Sequence, residues 1–363
     1  MTVSRRLPFR NEISCLLCFL LSSSLQAGIL VGKGATGSAF LKVPISARAT
    51  AMGGAFTAVD GDVSSMEYNP AGLAEIYRTD ASATYLRYIE DSKFQSLSVG
   101  FPIDFKKGSN LGEGFFGPDS GKIFIGLHYR SFQAVDTVRA DADHLGTPGG
   151  DFDIKDQLIH LGLAYSPFER LSIGLGGKII SSKLAGVSMS NFATDAGFLW
   201  KYSAVTTLGA SLLNVGSDKA YISSPDPLPT TLRTGLSFQM KRFLVTTDVL
   251  TGRDKITQEA LGVEASPNSL LRLRGGIIND TTFEYAAGIG LLFSPSSNKL
   301  TPAEHENKEN KSILDEMDVS HDNPVYQKYG ASSSPPIDLE FDYAFRTHGD
   351  LDATHTITIK MLY

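Results

Sequence analysis

Apolar and polar residues alternate with a period of two along most of the chain, which is the signature of strands with two unlike faces. In 121–130, Ile123, Ile125, Leu127 and Tyr129 share one face, and Lys122, Phe124, Gly126, His128 and Arg130 share the other. In 337–346, Ile337, Leu339, Phe341, Tyr343 and Phe345 alternate with Asp338, Glu340, Asp342, Ala344 and Arg346. Acids repeated on one strand face do not suit a sandwich core; they suit a wet lumen or an exposed sheet face. The same reading predicts strands near 79–90, 93–103, 121–131, 155–166, 171–182, 191–202, 204–214, 230–240, 242–250, 258–266, 269–278, 282–293, 335–346 and 354–363. These number about 14, an even count, and each is about 9–12 residues, long enough to cross hydrocarbon at a tilt. The expected fold is all-β, a closed transmembrane antiparallel β-barrel.

The connections fit that expectation. Tight turns at 166–170, 241–242 and 266–269 alternate with longer segments at 132–154, 215–229 and 251–257. In barrels of this kind the short turns face the periplasm and the long loops face outward. Strand parity from a periplasmic N-terminus places each of these on its expected side. Segments 104–120 and 294–334 depart from the rule, being long yet periplasmic by parity. The second is rich in charge (Glu304, Glu306, Lys308, Glu309, Lys311, Asp315, Glu316, Asp318). It reads as a linker or a short helix near 311–318, or as an outer loop if a strand is miscounted. The chain ends on Ile357, Ile359, Met361 and Tyr363, one apolar strand face closed by an aromatic.

Composition sharpens the picture at the N-terminus. Residues 1–27 read as a signal peptide, with Arg5, Arg6 and Arg10 ahead of the apolar run Ile13–Leu21, and Ala27 before Gly28 as the cleavage point. Both cysteines, Cys15 and Cys18, lie there, so the exported chain offers no disulfide or thiolate chemistry. No later run of about 18 apolar residues exists to make a spanning helix. The net charge of -6 and the lack of a basic run exclude nucleic acid as an expected partner. Gly is abundant at 35 residues, in keeping with strands and turns. The seven histidines are scattered without metal-ligand spacing. No HExxH, GxSxG or Walker A pattern occurs. Gly32–Gly37 matches GxGxxG, but Pro44 argues against the helix a dinucleotide site needs. The chain is therefore expected to be no enzyme and to carry no cofactor or metal.

Residues 28–78 do not alternate. They hold the run Ala47-Arg48-Ala49-Thr50-Ala51-Met52-Gly53-Gly54-Ala55-Phe56 and then Tyr68-Asn69-Pro70-Ala71-Gly72-Leu73-Ala74. At these residues the chain resembles the FadL-like outer-membrane proteins, especially the branch holding the PorV and PorQ proteins and uncharacterised spirochaete barrels. Many relatives have Trp where this chain has Tyr68. The resemblance implies a 14-stranded barrel (79–363) whose N-terminal segment (28–78) folds inward as a hatch. Its motif residues here are Arg48, Gly53, Gly54, Phe56, Asn69, Pro70, Ala71 and Gly72. Their ordinary role is to shape the plug, because Gly and Pro act through backbone geometry.

Strand parity also turns Lys178, Arg233, Asp248, Glu264, Arg272, Arg274, Glu284, Asp338, Glu340 and Asp342 into the lumen. Some are expected to pair, and a structural polar network is the plainer reading than a substrate site. The resemblance implies a passive outer-membrane channel for small hydrophobic molecules such as long-chain fatty acids. Loop 132–154 is then a groove component, although its apolar residues are few (Phe132, Val135, Val138, Leu145, Phe152). The alternative is a PorV-like component that binds secreted protein cargo, with 294–334 as the docking element. Outer-membrane lipid is a partner under either reading.

Overall fold

The computed structural model describes residues 36–103, 123–136, 152–184, 187–217, 219–220, 225–254, 257–280, 282–294, 337–349 and 351–363. The expected signal peptide, loop 104–120 and all but the first residue of 294–334 lie outside them. Long strands form β1 (Asp80–Arg87), β2 (Lys93–Ile103), β3 (Ile123–Asp136), β4 (Phe152–Phe168), β5 (Leu171–Leu184), β6 (Val187–Lys201) and β7 (Thr206–Gly216). A small hairpin of β8 (Lys219–Ala220) and β9 (Pro225–Asp226) follows. Then come β10 (Thr231–Met240), β11 (Phe243–Gly252), β12 (Thr257–Ala265), β13 (Leu271–Asn279), β14 (Phe283–Phe293), β15 (Asp338–His348) and β16 (Leu351–Leu362). The long strands, fourteen in all, close into one barrel in which chain neighbours pair antiparallel and β16 pairs back onto β1. The end holding Asp80 and Tyr363 is termed proximal here, and the opposite end distal.

All fourteen expected strands are present. The corrections lie at the distal end, where β3 to β6 outrun the lengths expected of them. Loop 132–154 is shorter than expected because β3 continues to Asp136 and β4 starts at Phe152. Phe132 is thus a wall residue, its ring 4.7 Å from that of Phe94. Segment 215–229 contains the β8–β9 hairpin rather than plain loop. Tight distal turns also join β13 to β14 and β15 to β16, the latter through Gly349 at φ 59°, so loop length alternates less regularly than the sequence suggested.

Alternation sets the two faces of the wall. On β15, Leu339, Phe341, Tyr343 and Phe345 are exposed, whereas Asp338, Asp342, Ala344 and Arg346 are buried. Leu175 is 65% exposed and Leu97 61%, values that only an apolar surrounding makes favourable over a whole belt. β14 carries Phe283 and Phe293 at its two ends on this outer face. Its 11 residues, at ~3.3 Å each and ~40° tilt, give a band about 25 Å tall, the height of a hydrocarbon core crossed by strands.

Residues 36–78 fill the lumen. They form a short helix, Ala47–Ala51, and 3-10 turns at Ala39–Lys42, Val63–Glu67 and Pro70–Leu73. The helix packs on β13 to β16, and Pro70–Leu73 packs on β3 to β6, so the segment crosses from one side of the barrel to the other. Gly53 (φ 67°) and Gly54 (φ 76°) end the helix in the left-handed region, and the Gly54 N–H donates to the Ala49 carbonyl at 2.8 Å. This is the C-terminal cap geometry that favours glycine. The lumen is consequently not the wet interior that the acids of β15 suggested. Asp338 and Asp342 are 2% and 3% exposed, because protein fills the space beside them.

Wall glycines make that fit possible. A Cβ added at Gly262 (β12) would stand 2.6 Å from the Met52 carbonyl, and one at Gly162 (β4) 2.8 Å from Leu73 Cδ1. At Gly174 (β5), Gly209 (β7) and Gly276 (β13) it would overlap the backbone of Ala71, Thr57 and Gly53 respectively. The strand glycines thus mark where the inner backbone lies against the wall.

Candidate functional site

The inner segment is fixed by polar bonds to the wall at several stations. At the first, Arg48 forks onto Glu264 (β12), with Nε donating to Oε2 and Nη2 to Oε1, both at 2.9 Å. Its Nη1 donates to Asp62 at 3.0 Å. Glu264 also accepts from Arg274 (β13) at 2.6 Å, and Arg274 reaches Glu340 at 2.9 Å and Asp342 of β15. The expected lumen charges Glu264, Arg274, Glu340 and Asp342 therefore do meet, in one chain of alternating sign.

At the second station, Asp248 (β11) accepts the Phe56 and Thr57 N–H groups, each at 3.0 Å, and the Thr57 hydroxyl at 2.6 Å. Arg233 (β10) donates to the same carboxylate at 2.9 Å and to the Gly54 carbonyl at 2.7 Å. Its guanidinium lies 5.1 Å from the Tyr68 ring centroid. Burial pushes the Tyr68 phenol above its ordinary value, so it stays neutral. Phe56 stacks at a tilt on Tyr68, with centroids 5.4 Å apart, and the Arg48 guanidinium lies over the Phe56 ring, 5.4 Å from its centroid.

At the third, Asp62 caps the turn Val63–Glu67 by accepting from the Ser64 N–H at 2.8 Å. It also meets Lys360 (β16) at 2.7 Å. Burial alone would raise the Asp62 carboxyl, but Lys360 and Arg48 outweigh it and hold the group well below the usual carboxylate range. Asn69 caps Pro70–Leu73 by accepting from the Ala71 N–H at 3.1 Å, while its amide donates to the carbonyls of Thr57 (2.8 Å) and Phe198 (3.0 Å). Gly72 lies so close to Ser65 and the Val59 carbonyl that a Cβ there would overlap both.

The remaining expected residues are dispersed. Lys178 (β5) bonds Asp195 (β6) and Asn214 (β7), both at 2.7 Å. Glu284 (β14) accepts from Arg346 at 2.7 Å, and Asp338 binds Arg78. Arg272 is a correction. Though on the inward parity, it is half-buried and donates to carbonyls of its own turn, Asn268 and Ser269, at 3.1 and 3.4 Å. It lies too near the proximal rim to join the network.

Several residues of the site were missed by the sequence reading. Glu67 pairs with Arg130 and with His128 at 3.0 Å. His128 and His160 are cross-strand partners on β3 and β4, and His160 lies 3.3 Å from Asp195. Lys360, Asp62 and Asp195 were also overlooked. Inward parity together with the β3–β4 register would have brought the two histidines together. Among the described residues no group of His, Cys, Asp or Glu is arranged to hold a metal.

Above these stations, at the distal end, lies a cavity of about 390 Å³. The inner segment lines it with residues 41–44 as well as Gly53, Gly54 and Tyr68, and the barrel wall with Leu86, Leu213 and Leu250. Its volume falls in the range of small-molecule sites, about 300–1,000 Å³.

Residues 22–115 match an uncharacterised protein family, UPF0164. No curated protein matches the chain. Among solved structures, the toluene transporter TodX of Pseudomonas putida is 12% identical, with a TM-score of 0.53, covering 92% of this chain and 99% of its own. The toluene transporter TbuX of Ralstonia pickettii is 12% identical, with a TM-score of 0.52, covering 88% and 98%. A FadL homologue of Pseudomonas aeruginosa is 11% identical, with a TM-score of 0.50, covering 93% and 99%. At such identities the likeness is one of fold: this chain has the fourteen-stranded barrel architecture of the FadL-like proteins.

Proposed function

We propose that the protein is a bacterial outer-membrane channel, exported after loss of residues 1–27, that admits small hydrophobic molecules and is gated by a hatch formed by 28–78 inside the barrel of 79–363. The carrying observation is the 390 Å³ distal cavity that the inner segment lines together with the barrel wall. Among the described residues, what stands between a ligand settled there and the proximal end is a segment held through side-chain bonds. The apolar belt supports residence in a bilayer, and the fold shared with hydrocarbon transporters supports this class of cargo. Long-chain fatty acids are one candidate cargo and neutral hydrocarbons another. In this reading the motif residues Arg48, Gly53, Gly54, Phe56, Asn69, Pro70, Ala71 and Gly72 set the hatch's shape and seat, and the lumen charges anchor it. No catalytic role is assigned. The cargo-binding alternative of the PorV and PorQ branch rests on 294–334, and nothing among the described residues favours it.

A cross-link tests both halves of the proposal. A Cβ at Gly100 (β2) would lie 3.4 Å from Val63 Cβ, close to the ~3.8 Å typical of a disulfide. Cells with an intact lipopolysaccharide leaflet, carrying Val63→Cys/Gly100→Cys, are assayed for uptake of labelled toluene and labelled long-chain fatty acid. Saturable uptake under reducing conditions, lost on oxidation and regained with reductant, is expected. Uptake no greater than with an unrelated porin overturns the channel; uptake indifferent to the cross-link overturns the gate.

A further inference from the structure

The outer face of β3 to β6 changes character in steps toward the distal end. Register sets Tyr129, Ile159, Ile179 and Phe192 side by side across the four strands, and the last three are exposed. The next row on this face is Ser131, Gln157, Ser181 and Ser190, and the one beyond it is Gln133, Lys155, Lys183 and Ser188. An apolar row thus gives way to an uncharged polar row, and that row to one with two adjacent lysines. Lys155 and Lys183 are direct cross-strand partners, so their Cβ atoms stand about 5 Å apart, a placing of like charges that by itself disfavours the sheet. Among the described residues no ion pair answers either of them. Four residues of β4, at ~3.3 Å each and ~40° tilt, put Lys155 about 10 Å beyond Ile159.

Resting on the outer-membrane part of the channel reading, we propose that Lys155 and Lys183 together bind the phosphate of a phosphorylated lipid in the outer leaflet around the barrel. A phosphate between the two ammonium groups converts a repelling pair into two charge-assisted bonds. Polar head groups occupy about 5–8 Å beyond the hydrocarbon on each side of a bilayer. The flexible lysine stems can lie back along the wall over the Gln157 row, which holds both charges at that level. The inner faces of the same strands carry Leu158 and Ile180, which pack with Phe40 and Ile45 of the inner segment. A lipid held here therefore grips the part of the wall on which the start of that segment rests.

The test titrates the purified full-length barrel, in non-ionic detergent at pH 7, with lipid A bearing both its phosphates and with the same lipid A dephosphorylated. Binding is read by native mass spectrometry, and stability by the midpoint of heat-shifted electrophoretic mobility. The phosphorylated form is expected to bind at least about tenfold tighter and to raise the midpoint. Lys155→Gln/Lys183→Gln is expected to abolish that preference, and Lys155→Arg/Lys183→Arg to keep it. Lys241→Gln/Arg242→Gln, which strips the same charge from an exposed proximal turn, is expected to leave it unchanged. Without lipid, the Lys155→Gln/Lys183→Gln variant is expected to be at least as stable as the native protein, because a repulsion is lost. Equal binding of the two lipids by the native protein, a preference that survives Lys155→Gln/Lys183→Gln, or an equal loss in the proximal variant overturns the inference and leaves the channel standing. So does a Lys155→Gln/Lys183→Gln variant less stable than the native protein without lipid, since the lysines are then spent on an acid of their own chain. Intact protein that fails to fractionate with the outer membrane overturns the outer-membrane reading, and this inference with it.

Discussion

Asp248 is the most loaded wall residue of the inner segment's seat, so its substitution by Asn is the sharpest perturbation of docking. Its carboxylate accepts four bonds at 3.0 Å or less: two from backbone N–H groups, one from the Thr57 hydroxyl and one from Arg233. Asn keeps the size and one acceptor oxygen but deletes the charge. Arg233, 9% exposed, then remains buried with no counter-charge at that station. Breaking a buried pair in this way costs about 3–5 kcal/mol, more than the loss of one bond to a charged group, about 1.5–3 kcal/mol. Taking ~3 kcal/mol as the part that falls on docking, the undocked population rises by about 100-fold. Hydrogen exchange at the Phe56 and Thr57 amides reads this directly, since both are donors to the deleted charge. Exchange there is expected to accelerate by about that factor, while amides of β2 and β3 hold. Replacing both partners, Asp248→Asn with Arg233→Met, is expected to recover part of the protection, because no orphan cation is left. Unchanged exchange in the single variant, or a double variant less protected than the single, would refute the electrostatic account of the seat.

Two other perturbations follow from the geometry. Gly275 and Gly276 are adjacent on β13, yet a Cβ at Gly275 meets nothing within 4 Å whereas one at Gly276 overlaps Gly53. Gly276→Ala is expected to destabilise by about 1–3 kcal/mol and Gly275→Ala to stay within ~0.5 kcal/mol, read from urea midpoints; equal midpoints would dismiss the close-packing argument. For Asp62, a carboxyl held below its unfolded value of about 3.9 contributes stability that is present above pH ~4 and is lost only as pH falls through the depressed folded value. Amides 63–67 should therefore keep their protection, corrected for intrinsic exchange, from pH 7 to pH 4.5, and Asp62→Asn should lose it at every pH; a loss in the native protein above pH 4.5 contradicts this assignment.

The strands were legible because a wall with an exposed apolar face on one side and packed protein on the other imposes a strict period of two, as at Ile123–Arg130 and Ile337–Arg346. Parity also turned Glu264, Arg274 and Asp342 inward correctly. Their partners were not legible. Arg48 and Asp62 come from a segment with no period, and pairing between strands far apart in the chain depends on barrel register. The strand glycines are the plainest missed signal. Gly126 and Gly162 were open to reading as ordinary strand glycines, yet they are register partners and both face Leu73. The distal loops were misjudged because β3 to β6 run past the length that hydrocarbon demands, and polar residues such as Gln133 and Asp153 in that extension look like loop.

The stitching around Asp62 has a further bearing. β1 and β16 are the barrel neighbours that no loop connects, and bringing two chain ends together carries an entropy that grows with the length between them. Along that seam the inner segment touches both edges: the Val63 N–H donates to Asp80 of β1 at 3.0 Å, the Ala47 N–H to Thr358 of β16 at 3.0 Å, and Lys360 of β16 approaches Asp62 and Asp80 at 2.7 and 3.4 Å. Positioned directly ahead of β1 in the chain, it serves there as the missing turn, an internal clasp on the cylinder's open join. Removing residues 28–78 therefore unfastens the cylinder as well as emptying it, and a leak through such a deletion would report on closure before it reported on gating.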